Sequence, residues 1–232
     1  MVTRSEDYIS RLADHYRVIT IGGLAVIAHG YNRPTMDADV WLDPMESPSQ
    51  WADALLVTCA SFPGLTVHTL PGWKQLHGSE IAQAADDVGM VRIIGLDCPL
   101  DVFRRPNEFP ENSFDEVYRR AVIYRDGTRL PDPLDLIITK LNTGREKDLN
   151  DLRHLESVVR QRYREILPTA SLAEVKELFD RYLDWEICDI ALTNPDHSVK
   201  EYVASCLHEM AADGDPFAQA LIEQKKIPYS GS

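Results

Sequence analysis

At 232 residues the chain is long for one average domain and short for two, so a main core with a smaller appended unit is expected. Its 37 acidic against 24 basic side chains leave a net charge of −13, which argues against a broad nucleic-acid-binding face and leaves room only for a local basic patch. Four cysteines, Cys59, Cys98, Cys188 and Cys206, have neither CxxC pairing nor metal-ligand spacing and read as reduced thiols. With no apolar run of signal-peptide or bilayer type, a soluble, cytoplasmic protein with no membrane partner is expected.

Ser5 reads as the N-cap of a first helix with Tyr8, Ile9, Leu12 and Tyr16 as its inward stripe. Tyr16 to Ile21, rich in β-branched and aromatic residues, reads as a buried strand, and the apolar run after Gly22-Gly23 as a helix. Glycine at that turn lets backbone amides approach a ligand, so a phosphate is expected to rest there. The run Asp37-Ala38-Asp39-Val40-Trp41-Leu42 alternates, with both carboxylates on one side of a strand. Two carboxylates so close repel each other, and a divalent cation relieves this.

Ser47-Pro48 opens a helix with Trp51, Ala54, Leu55 and Thr58 inward. Leu65 to Leu70 reads as a strand and Ser79-Glu80 as the start of a short helix. Between them, Pro71 to Gly78 has no clear period and reads as a loop bordering the cleft. Val91 to Leu96 and Pro99 to Phe103 read as strands, the second carrying Asp101 between apolar neighbours. Arg104-Arg105 serves either phosphate or surface acids. Ser113 to Glu116 has the form of a capping box, and Asp126-Gly127 marks a hairpin.

From Pro131 onward nearly everything reads as helix. Asp132-Pro133 starts one, and Leu152 to Ile166, Ser171 to Leu192 and Pro195 to Met210 follow, with a last short one at Asp215-Pro216. On an unbroken helix Lys140, Asp148 and Asp151 fall on one face; if Asn142-Thr143-Gly144 breaks it, the fold must bring them together. The histidines, including His29, His68, His77 and His154, have no metal-ligand spacing and read as ordinary polar residues.

Ile21-Gly22-Gly23, a spacer from Leu24 to Met36, then Asp37-Ala38-Asp39-Val40 resembles the signature of the polymerase-β type nucleotidyltransferase superfamily. The segment Gly30 to Asp39, with Arg33-Pro34-Thr35, and the later Lys140, Arg145, Lys147-Asp148 and Asp151 resemble more narrowly the bacterial AbiEii-like branch. The resemblance implies an α/β (α+β) core of mixed sheet and flanking helices over residues 1–130, then a helical C-terminal domain over 131–232. It also implies transfer of NMP from an NTP to a tRNA or protein hydroxyl, with two Mg²⁺ ions on Asp37, Asp39 and a third carboxylate from a later strand. Asp101 is chosen for that third place, with Asp97 as its rival. Gly22, Gly23, Arg33, Thr35, Lys140 and Asp148 are the implied nucleotide-binding residues, with Arg33 equally a structural anchor. A toxin with an antitoxin partner is the implied setting. The alternatives are a non-catalytic nucleotide- or partner-binding module of the same fold, antitoxin-like, and a metal-dependent phosphoester hydrolase.

Overall fold

The computed structural model describes residues 2–106, 109–110, 112–141 and 145–228. The chain forms two compact units, residues 1–155 and 156–232. The first holds a mixed sheet flanked by helices and the second is helical, the expected α/β core with a helical C-terminal unit. The boundary expected near residue 130 falls inside the first unit, which extends far enough to include Lys140, Asp148 and Asp151.

The sheet runs in the order β4-β3-β5-β6-β2-β1-β8-β7. Its strands are β1 (Val18–Ile21), β2 (Ala38–Leu42), β3 (Thr66–His68), β4 (Gln75–Leu76), β5 (Met90–Ile94), β6 (Leu100–Phe103), β7 (Val122–Ile123) and β8 (Arg129–Leu130). The helices of this unit are α1 (Ser5–Ala13), α2 (Gly22–Ala28), α3 (Pro48–Cys59), α4 (Ser79–Asp87), α5 (Phe114–Arg120) and α6 (Pro133–Lys140). A seventh, α7 (Glu146–Ile166), begins in the first unit and ends in the second.

Strand alternation decides what each face does. Ala38, Val40 and Leu42 of β2, Val91 and Ile93 of β5, and Leu100 and Val102 of β6 point to one side. There they meet Tyr8 and Leu12 of α1, Trp51 and Leu55 of α3 and Ile81 of α4 in one buried cluster. Each fully buried side chain of this size contributes on the order of 2 kcal/mol. Their neighbours Asp39, Trp41, Arg92, Asp101 and Phe103 therefore face the other way. On that side Ile19, Ile21, Trp41, Phe109, Phe114 and Val117 form a smaller core, and the rest of the face is left to charge.

Several local expectations need correction. Ser5 is the first helical residue, and its amide is capped from a distance by Asp97 Oδ1 at 2.7 Å. The Ser113 hydroxyl turns back to the carbonyl of Pro110 at 2.7 Å, so no capping box forms. The hairpin between β7 and β8 carries a 3-10 turn over Arg125–Gly127 rather than a tight two-residue turn. The Pro71 to Gly78 segment contributes the short strand β4. By contrast Ser47 caps α3 and Asp132 caps α6, each followed by proline, as expected.

In the second unit the single helix expected over Ser171 to Leu192 is two, α8 (Leu172–Arg181) and α9 (Trp185–Ala191). Tyr182 is extended, and the Asp184 carboxylate accepts from the Ile187 amide, starting a new helix where the periodicity ran on. Helices α10 (His197–Ala212) and α11 (Pro216–Lys225) complete it, around Val175, Phe179, Ile187, Val199, Val203 and Leu207. Buried Asn194 ties this unit's loops by donating to the carbonyls of Leu167 and Ala170 at 2.7 and 2.8 Å. Among the described residues no helix is long and apolar enough to cross a membrane.

Candidate metal centre

Two neighbouring strands place the acids, and a third sets an arginine beside them. Asp39 lies opposite Asp101 in the parallel pair β2–β6, and Arg92 lies opposite Asp101 in the antiparallel pair β5–β6. Asp37 precedes β2 by one residue and points to the same side as Asp39. A carboxylate oxygen from each of Asp37, Asp39 and Asp101 lies within 4.8 Å of the others, an arrangement that can hold a metal ion. Thr35 Oγ1 fixes the approach to the strand, donating to the Asp37 carbonyl at 3.1 Å and standing 3.3 Å from its carboxylate. Asp97, the rival for the third place, is occupied instead with the amides of Ser5 and Cys98.

The glycines at the turn answer to these same acids. Gly22 has φ +62, and a Cβ there would stand 2.0 Å from Asp39 Oδ2, so the position requires glycine for both conformation and space. A Cβ on Gly23 would stand 2.8 Å from Thr35 Oγ1 and 3.1 Å from the Arg33 guanidinium. The Gly23 amide bonds to the Asp39 carboxylate. The pair thus seats α2 directly against the acids as well as opening backbone to the cavity.

Burial, and then the charges of Asp37 and Asp101, push the Asp39 carboxyl up to about 7, against the smaller opposing pull of Lys140 and the Gly23 amide. A carboxyl held this far from its ordinary range marks a cluster short of positive charge. Hard oxygen donors in such a cluster suit a divalent cation of the magnesium or manganese kind.

Arg92 supplies part of the missing charge. Its guanidinium binds Asp101 through two bonds of 2.6 Å and reaches to 4.0 Å from Asp37. Trp73, in the turn between β3 and β4, lies over that guanidinium with its ring centre 5.0 Å away. In the sequence Arg92 is a lone cation in the otherwise apolar run Val91 to Ile94, and nothing in the run itself pairs it with Asp101.

A second charged layer lies behind the first. Helix α6 ends at Lys140 and the chain turns extended at Leu141, so an unbroken helix does not align the acids. Asn142, Thr143 and Gly144, the expected break, lie outside the described residues. Even so, Lys140 Nζ stands 3.1 Å from Asp148 and 3.2 Å from Asp151, both wholly buried. Arg33 binds Asp151 through two bonds of 2.7 Å, which makes it an anchor between the Asp37 segment and α7. Arg145 closes on Asp148.

All these groups converge on a cavity of about 350 Å³. Gly22, Gly23, Arg33, Thr35, Asp37, Asp39, Asp101 and Lys140 line it, as do Arg92, Arg145 and Lys147. Asp148 does not; it stands behind Lys140 and orients it. Five cationic side chains share the lining with three carboxylates, and Arg33, Lys140 and Arg145 are in turn paired with Asp148 and Asp151 behind it. In comparison with known proteins, the chain matches no protein-family model and no curated sequence.

Proposed function

We propose that this cavity is the active site of a metal-dependent nucleotidyltransferase, which moves NMP from an NTP to an acceptor hydroxyl. The observation that carries the reading is the cluster of Asp37, Asp39 and Asp101, the last two in register across β2 and β6, on a cavity also lined by glycine backbone, cations and the apolar side chains of Leu70, Met90, Phe103 and Phe109. When bound, two Mg²⁺ ions would supply positive charge to the attacking and leaving oxygens.

Asp37 and Asp39 would hold the cation that accompanies the triphosphate. Lys140, Arg145 and Lys147 would face the phosphates, with Lys140 held in place by Asp148 and Asp151. Asp101 would accept the proton from the acceptor hydroxyl, whose oxygen forms a new bond to the α-phosphorus. The bond from that phosphorus to the bridging oxygen breaks, and pyrophosphate leaves. A hydrolase using the same acids would release phosphate instead. An AbiEii-like toxin with an antitoxin partner and a tRNA or protein acceptor is the setting that the motif suggests.

One observation favours a second reading, a non-catalytic, antitoxin-like module: Arg92 engages both oxygens of Asp101. The test is pyrophosphate release and label transfer from each α-labelled NTP with Mg²⁺, offering total tRNA and then cell protein, in wild type and Asp37→Ala/Asp39→Ala. Transfer that disappears in the double variant supports the enzyme. Failure of both transfer and Mg²⁺-dependent NTP binding sinks it in favour of the module.

A further inference from the structure

We infer that Trp73 is a stacking platform for the terminal base of a single-stranded nucleic-acid acceptor, an inference that rests on the transfer reading and adds the acceptor class to it. Trp73 is 55% exposed, although it lies beside the cavity, so burial in a core does not account for the ring. Its backbone sits at φ +56, a conformation that costs a bulky side chain on the order of 1–2 kcal/mol.

The surrounding backbone holds it there. The Trp73 amide donates to the Thr69 carbonyl at 3.2 Å, and the Thr69 amide donates to the Lys74 carbonyl at 2.9 Å. The Lys74 amide donates to Thr69 Oγ1 at 3.1 Å, and the His68 ring bonds the Trp73 carbonyl at 3.1 Å. Two of these bonds hold the Trp73 amide and carbonyl and two close the turn around it, so the backbone that presents the ring is fixed. The Arg92 guanidinium supports the ring by a cation–π contact.

Its position assigns it to the acceptor. Along the sheet the order is β1 with the glycine turn, β2 with Asp39, β6 with Asp101, β5 with Arg92, then β3 and its turn with Trp73. The glycine turn follows β1, and Lys140, one of the phosphate-facing groups, acts on Asp39 of β2. Trp73 lies beyond Asp101, the group that takes the acceptor's proton. Strand β3 is two strands from β6, on the order of 10 Å, a span that one nucleotide bridges. A flat π-face there suits a base of any identity, because stacking is tolerant of sequence. A protein hydroxyl brings no base to meet it.

The experiment titrates full-length protein into a labelled single-stranded RNA hexamer in EDTA, without NTP. Wild type is set beside Trp73→Ala, Trp73→Phe and Trp73→Gly, the glycine suiting the positive φ so that loss of the ring is not confused with strain. Trp73→Ala and Trp73→Gly are expected to weaken binding about tenfold, Trp73→Phe far less, and an abasic 3′ nucleotide should abolish the difference. In transfer assays the same variants should raise KM for RNA and leave KM for NTP unchanged. Equal binding by Trp73→Ala and wild type, or no binding by wild type, overturns the inference. So does label entering protein while the hexamer ignores Trp73, a result that leaves the transfer reading intact. Trp73-dependent binding with neither transfer nor Mg²⁺-dependent NTP binding defeats the transfer reading and with it the acceptor role, leaving Trp73 a base-stacking surface of another kind.

Discussion

Substituting Asp39→Asn should make the metal-free protein more stable, although it removes a central residue of the site. Between the ordinary carboxyl value of 3.8 and the native value of about 7, the folded state retains a proton that the unfolded chain has released. Folding stability therefore falls as pH rises through this window, and is fully present only below about pH 4. The separation amounts to roughly 4 kcal/mol at pH 8. Asparagine keeps the shape and an oxygen for the Gly23 amide, and the value of about 7 already includes the attraction of Lys140, so a net gain of about 3–4 kcal/mol is expected. Denaturant unfolding of both proteins in EDTA at about pH 8 and again near pH 5 measures it, with the gain smaller by about 2–3 kcal/mol at the lower pH. Adding Mg²⁺ or Mn²⁺ at the higher pH should stabilise wild type and leave Asp39→Asn unmoved. A variant no more stable than wild type at about pH 8 would refute the account of a cluster short of positive charge.

Gly22→Ala places a Cβ 2.0 Å from Asp39 Oδ2 at φ +62, and should cost about 2–4 kcal/mol in unfolding experiments and abolish Mn²⁺ binding by paramagnetic titration. Gly30→Ala, with φ +96 but open space around it, should cost only about 1 kcal/mol and bind the metal normally. Asp151→Ala strips a buried partner from both Arg33 and Lys140, and a loss of about 3–5 kcal/mol is expected by urea melts, with weaker NTP binding by calorimetry. Asn194→Ala removes the donor that the buried carbonyls of Leu167 and Ala170 share, leaving Leu167 only the 3.4 Å bond from the Ala170 amide, at about 2–3 kcal/mol, and should leave metal binding at the first unit untouched.

Alternation along single strands was the most legible feature. The split of Asp37, Asp39 and Trp41 from Ala38, Val40 and Leu42, and the lone acid between Leu100 and Val102, are local patterns with a period of two, and each appears in the structure on the face read for it. Serine or aspartate followed by proline marked the starts of α3 and α6 for equally local reasons.

Pairing across the chain left no such trace. Arg92 joins Asp101 through strand register, Arg33 joins Asp151 across 118 positions, and Asp97 caps a helix 92 residues away. A side chain's partner over such separations depends on the topology of the sheet. The same limit hid the division of α8 from α9, since the apolar spacing continues through Tyr182 while the backbone does not.

The register between β2 and β6 also sets where this protein tolerates change in length. A single residue inserted between Pro99 and Asp101 would turn Asp101 into the apolar layer and bring Leu100 or Val102 out among charges, erasing the site while the remainder of the chain could still fold. The turn between β3 and β4 carries no comparable demand on the acids. Lengthening it would leave all three carboxylates facing one another and move only what is presented beside them. The molecule thus separates a segment whose length is frozen by the geometry of its acids from one whose length is free.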